Sequence, residues 1–179
     1  VYAQSLAIVL DVSVPSRISN PKYALCKELV KLDHHINVEP YGDLMWVEEE
    51  RSSACEMVAD FYDKCRDELT LTKDAALYLY TGMVTDSGRF RYDATNARTF
   101  RLASYLMEQP IDTNALYRNL YASDYAQLVV RAKFLLHVQF TEKNVAYVYT
   151  TMDGKGEYGV DDFTLSRGMV NSMADMRGV

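Results

Sequence analysis

Two short apolar runs, each stopping on an aspartate, constrain this chain most. Residues 6–10 read LAIVL before Asp11, and residues 29–32 read LVKL before Asp33. Short continuous runs of this kind suit strands of a parallel sheet buried on both faces. In open sheets of that type ligands collect beyond the carboxyl ends of the strands, so Asp11 and Asp33 are site candidates as well as ordinary turn residues. Residues 44–47 follow the turn-forming stretch Pro40-Tyr41-Gly42-Asp43 and read as a third strand.

Helices take over next. Ser52 or Ser53 is an N-cap, with Glu56 three residues after Ser53 in capping-box position. Thr72 caps a nearly all-apolar helix over residues 73–83, expected to be deeply packed, which runs into Thr85-Asp86-Ser87-Gly88. Residues 89–92 alternate like a strand, and helices follow at 97–108, 113–121 and 125–134. Residues 135–141 and 145–150 read as strands joined by a turn at 142–144, followed by a loop at Asp153-Gly154-Lys155-Gly156 and a last helix over 163–174. The expected fold is α/β: a mainly parallel sheet flanked by helices, then the start of a smaller α+β domain. The expected division is a first domain over residues 1–125, a connecting helix over 126–134 and a second domain over 135–179.

A net charge of −6 argues against affinity for long nucleic acid, which needs broad basic surface, but a small phosphorylated substrate is compatible with it if a metal ion supplies positive charge. No apolar run approaches a membrane span and no basic segment precedes the first apolar stretch. Cys26, Cys55 and Cys65 lack CxxC spacing and read as reduced thiols in a cytoplasmic protein.

The chemistry concentrates in three places. Asp33-His34-His35 contains two of the three histidines in the chain. Imidazole binds manganese, iron or zinc, and carboxylates suit manganese and magnesium. In extended backbone adjacent side chains point opposite ways, so one histidine is expected on a metal and its neighbour beside a substrate phosphate, with Asp33 fixing a histidine tautomer. Asp86-Ser87-Gly88-Arg89 puts a carboxylate beside backbone N–H groups and an arginine fork, a combination suited to a metal-bound phosphate. Asp11 is the third.

Asp11, Asp33-His34-His35 and Asp86-Ser87-Gly88 resemble, in order and approximate spacing, the second, third and fourth motifs of the DHH-family phosphoesterases. The stretches LDHHINVEPYGDLMWVEEERSSACEMV and YTGMVTDSGRFRYDATNARTFRLASYLM are similar to the bacterial branch that degrades very short RNA and dephosphorylates pAp. The resemblance implies Asp11 as a carboxylate bridging two Mn2+ ions, His34 and Asp86 as further metal ligands, and His35 beside the phosphate. It implies hydrolysis of short oligoribonucleotides, linear dinucleotides or pAp by metal-activated water. Ser87, Gly88 and Arg89 are the expected substrate-side residues.

The family's first motif, a His with two closely spaced Asp, and its Gly-Gly-Gly-His motif have no match. The chain therefore reads as an excised segment with weak metal binding and little turnover of its own. Rival readings are a DHH phosphodiesterase with another substrate, and a nucleotide-binding or regulatory module without catalysis. A homodimer through exposed helices is left open.

Elsewhere the bland readings prevail. Arg98 and Arg101 are expected on a solvated helix face, Ser52 and Ser53 as caps, and His137 as a packed, hydrogen-bonded residue. Most of the fourteen tyrosines, Tyr78 and Tyr80 among them, are expected in the core.

Overall fold

The computed structural model describes residues 1–151, 156, 158–173 and 176. It divides into two compact units, Val1–Leu116 and Tyr117–Val179.

The first unit is built on three parallel strands, β1 (Leu6–Leu10), β2 (Glu28–Asp33) and β3 (Leu44–Val47), in the order β1-β2-β3. The register pairs Leu10 with Leu32 and Asp33 with Val47, so the strands end together and the segments after β1 and β2 leave from one edge. The first crossover is irregular, with short 3-10 turns at Pro15–Arg17 and Pro21–Leu25. Proline at the start of each turn supplies the required φ without losing a backbone bond.

Three helices follow: α1 (Ala54–Lys64), α2 (Lys73–Asp86) and α3 (Ala97–Leu106). They pack on one another, and α1 also meets β2. Leu32, Ala54 and Met57 form the sheet–helix core with Trp46 and Val58 against it. The side chain of Ser53 accepts from the Glu56 N–H, that of Thr72 from Ala75, and Asn96 and Thr99 close a capping box on α3.

Several expectations are corrected here. β1 is not covered on both faces: Val9 is buried, but Leu6, Leu10 and Ile8 (59% exposed) face outward from an edge strand. α2 is longer than its apolar run and ends on Asp86 itself. Its outer side is open, with Tyr78 71% exposed while Tyr80 is buried. Residues 89–92 form a tight turn instead of a strand, because Gly88, Arg89 and Phe90 are all left-handed, with φ of 57°, 65° and 62°.

In the second unit, α5 (Tyr125–Leu136) starts from a capping box between Asp124 and Gln127; α4 (Thr113–Tyr121) carries the division between the units. A short antiparallel hairpin pairs β4 (Gln139–Phe140) with β5 (Ala146–Tyr147). Its turn is closed by Asn144 at φ 58° and by Thr141, whose side chain accepts from Val145 N–H. Phe134, Tyr158 and Leu165 make a separate small core. His137 is hydrogen-bonded there as expected, 2.9 Å from the Tyr158 hydroxyl, but it is exposed and not packed. The last helix is not continuous: a π-helical turn at Thr164–Gly168 precedes a 3-10 turn at Val170–Ser172, and Ala174 lies outside the described residues. Asp153, Gly154 and Lys155 of the expected loop also lie outside them. Among the described residues no helix is long and apolar enough to cross a membrane.

Candidate metal centre

The common edge of β1 and β2 and the last turn of α2 bring four of the expected side chains together. His34 Nε2 lies 3.4 Å from Asp11 Oδ1 and 3.1 Å from Asp86 Oδ2, and His35 Nδ1 is 3.7 Å from Asp11 Oδ1. Asp11, His34 and His35 each offer one ligand atom within 4.8 Å of the others.

Local backbone explains the placement. Asp11 has φ 61°, held by its N–H donating to Leu32 O at 3.0 Å, and a non-glycine residue in that region stores strain of the kind that collects at functional sites. Asp33 Oδ1 accepts from the N–H groups of both His34 (2.9 Å) and His35 (3.3 Å), which bends the chain out of the strand. The two imidazoles consequently lie side by side, centroids 4.7 Å apart, and do not point to opposite faces as extended backbone would have required. Gly82 lets α2 approach α1: a Cβ there would meet Cys55 Sγ at 2.2 Å.

The tautomers follow from the partners. His34 Nδ1 is 3.1 Å from the Arg51 carbonyl, which can only accept, so Nδ1 carries a proton and Nε2 is the nitrogen turned to Asp11 and Asp86. Nε2 is buried and makes no hydrogen bond of good alignment, despite its short distance to Asp86. The Asp86 contact, opposed by burial and aided by the Arg51 carbonyl, raises the His34 pKa from 6.5 to about 8. Burial, then the Asp86 charge, raises that of Asp11. His35 Nδ1 donates to Asp33 Oδ1 at 2.8 Å, so Asp33 fixes a tautomer as expected, and the histidine is His35. Burial pushes Asp33 up, but hydrogen bonding to His35 outweighs it and the net shift is down.

The residues around Asp86 divide. The Ser87 hydroxyl is buried, donates to Met83 O at 2.5 Å and accepts from Phe90 N–H at 2.8 Å. The N–H groups of Ser87, Gly88 and Arg89 donate back to Met83, Thr85 and Val84. Ser87 and Gly88 therefore build the turn, with their hydroxyl and N–H groups engaged within it. Arg89 keeps an exposed side chain.

A buried ionic cluster escaped the sequence reading. Arg51 donates to Glu48 and Asp60 at 2.6 Å each and to Glu56 at 3.4 Å. Glu56 also accepts from Ser52 Oγ, Thr99 Oγ1 and Arg98 Nε, so Arg98 is not on a purely solvated face. Glu56 turns to the N–H of Ser52 instead of the capping residue Ser53. The signal was the Arg-Ser-Ser-x-x-Glu string, which a cap alone does not need. The three cysteines are free thiols, and burial, with Asp11 and Asp86 nearby, pushes Cys55 up to about 11, which keeps it protonated at neutral pH.

No family model matches the chain. It is 30% identical over 179 residues, 99% of its length, to the bifunctional oligoribonuclease and PAP phosphatase NrnA of Bacillus subtilis. It is 34% identical over 147 residues, 82% of its length, to the probable bifunctional oligoribonuclease and PAP phosphatase NrnA of Streptococcus mutans. These matches span 57% and 47% of the two relatives, so the chain spans about half their length. The crystal structure of an exopolyphosphatase-related protein from Bacteroides fragilis superposes with a TM-score of 0.84 at 25% identity, covering 97% of this chain and 52% of that one.

The parallel sheet and these likenesses together place the chain in the DHH family of phosphoesterases. Within the family it is similar to the NrnA-type proteins along nearly its whole length.

Proposed function

We propose that this chain is the metal-binding part of a manganese-dependent phosphoesterase that acts on short oligoribonucleotides, linear dinucleotides and pAp. The observation that carries the reading is His34 Nε2, a buried nitrogen without an aligned hydrogen bond, set between two carboxylates. Such an atom is costly to bury unless a ligand meets it, and an imidazole between carboxylates suits Mn2+.

Asp11, His34 and Asp86 would hold the metal. A pair of divalent ions, when bound, supplies Lewis acidity and an available water nucleophile at neutral pH. The chain's own residues do the rest. The Arg51 carbonyl holds the His34 tautomer. Asp33 holds His35 with its Nδ1 proton inward, leaving the far side of the ring for a substrate phosphate. Arg89, at the rim, is suited to a second phosphate oxygen. Protonated Cys55 takes no nucleophilic part. Residues 1–125 then correspond to the later part of the catalytic domain, 126–134 to a connecting helix and 135–179 to the start of a substrate-binding domain. A cytoplasmic location and a homodimer belong to the same proposal.

The test is Mn2+-dependent hydrolysis of pAp and a short RNA by the full-length parent protein, beside its His34→Ala and Asp86→Ala variants. Activity that falls about a hundredfold or more in both variants supports the reading. A parent inactive on both substrates with Mn2+ supplied rules it out, and nucleotide titration then separates another phosphodiesterase from a binding module.

A further inference from the structure

We propose that Lys31 is a positioning residue of this centre: a buried clamp between the loop that carries Asp11 and the loop that carries His34 and His35. The inference rests on the metal-site reading above and extends it to a residue two positions before Asp33 in the same strand.

Lys31 sits in β2, the central strand, and its side chain is fully buried. A lysine is almost never fully buried unless its ammonium is paired. This one donates two hydrogen bonds, to Ser13 O and Asn37 Oδ1, and is ion-paired with Asp33. Nζ lies 3.0 Å from Ser13 O, 3.1 Å from Asn37 Oδ1 and 3.5 Å from Asp33 Oδ2. Ser13 is two residues past Asp11, and Asn37 is two past His35. One cation therefore ties both ligand loops and the carboxylate that orients His35.

Tyr41 completes the arrangement. The ammonium stands 4.6 Å from its ring centroid, and its hydroxyl donates to Val12 O at 2.6 Å, again in the Asp11 loop. A fold seeking only stability would place a Val or Leu at this central position. A cation there instead fixes Asp33 with Oδ2 turned to Lys31 and Oδ1 turned to the two histidines.

The experiment uses the metal-free chain, with Lys31→Met and Asn37→Ala beside the wild type. Nitrogen-15 NMR of the imidazoles reports the histidine tautomers, and Mn2+ titration reports affinity. In the wild type His35 should hold a single Nδ1–H tautomer. Lys31→Met should mix the His35 tautomers and weaken Mn2+ binding about tenfold or more. Asn37→Ala should shift the histidine signals and weaken Mn2+ in the same direction, by less, with an unchanged thermal midpoint. Wild-type histidine signals and affinity in Asn37→Ala, with Lys31→Met either wild-type-like or simply unfolded, overturn the proposal. If the wild-type chain binds no Mn2+, the metal-site reading fails, while the histidine signals still decide the role of Lys31.

Discussion

His34 Nδ1 and the carbonyl of Arg51 lie 3.1 Å apart, across the gap between β2 and α1. That contact decides which imidazole nitrogen faces Asp11 and Asp86. The same Arg51 sends its guanidinium into three carboxylates, so the tautomer of a candidate ligand depends on a buried ionic cluster.

The cluster gives the first prediction. Glu56 is fully buried and accepts from Arg51, Ser52, Arg98 and Thr99. Glu56→Ala removes one side of a buried charge network and should lower unfolding free energy by about 3–5 kcal/mol. Denaturant unfolding measures it. A loss below about 1 kcal/mol would show that the network is dispensable.

Acid stability follows from the same groups. Burial raises the Glu56 carboxyl, but Ser52 and Thr99 hydrogen bonds outweigh it, leaving it below its ordinary 4.5; Asp60 is likewise lowered from 3.8 by Arg51 and Lys64 against burial. Groups with depressed folded pKa add stability above their unfolded values and lose it as pH falls through the folded ones. The thermal midpoint should therefore drop steeply below about pH 4.5, and in Glu56→Gln the drop should be shallower. Equal steepness in both proteins would contradict the assignment.

Metal binding should depend on pH in the opposite range. A His34 pKa of about 8 means that protons compete for the metal-facing nitrogen at neutral pH. Apparent Mn2+ affinity should rise toward pH 8 by up to about tenfold per unit, with proton release in calorimetry. For the metal-free chain the sign reverses: this raised pKa adds stability below 6.5, which is lost as pH rises through about 8. An affinity flat from pH 6.5 to 8 would exclude His34 as a ligand.

The Asp86 turn offers a geometric prediction. Gly88 has φ 57°, and a Cβ there would sit 2.5 Å from the Tyr92 ring. Gly88→Ala should cost about 1–3 kcal/mol from backbone strain alone. Adding Tyr92→Ala should recover the steric part and leave the strain. Full recovery in the double variant would show that φ is not constrained.

Much of this was legible in the sequence, for identifiable reasons. Apolar runs ending on Asp11 and Asp33 announced parallel strands, and Ser53 and Thr72 are caps whose effect is local. What escaped depends on distant partners. Lys31 sat inside a run read as apolar, because nothing adjacent in sequence shows Ser13 and Asn37 closing over it. Glu56 looked like a cap until Thr99, on another helix, met it. The 89–92 stretch alternated like a strand, but left-handed residues from Gly88 onward fold it into a turn. Tyr78 shared an apolar run with Tyr80, yet helical period turns only Tyr80 inward.

The most direct measurement is anomalous diffraction from crystals of the chain soaked in Mn2+ at about pH 8, above which His34 is free to ligate. A peak bounded by Asp11, His34 Nε2 and Asp86, absent from the His34→Ala protein, is the expected result. A peak elsewhere, or one that survives the substitution, would contradict the metal centre.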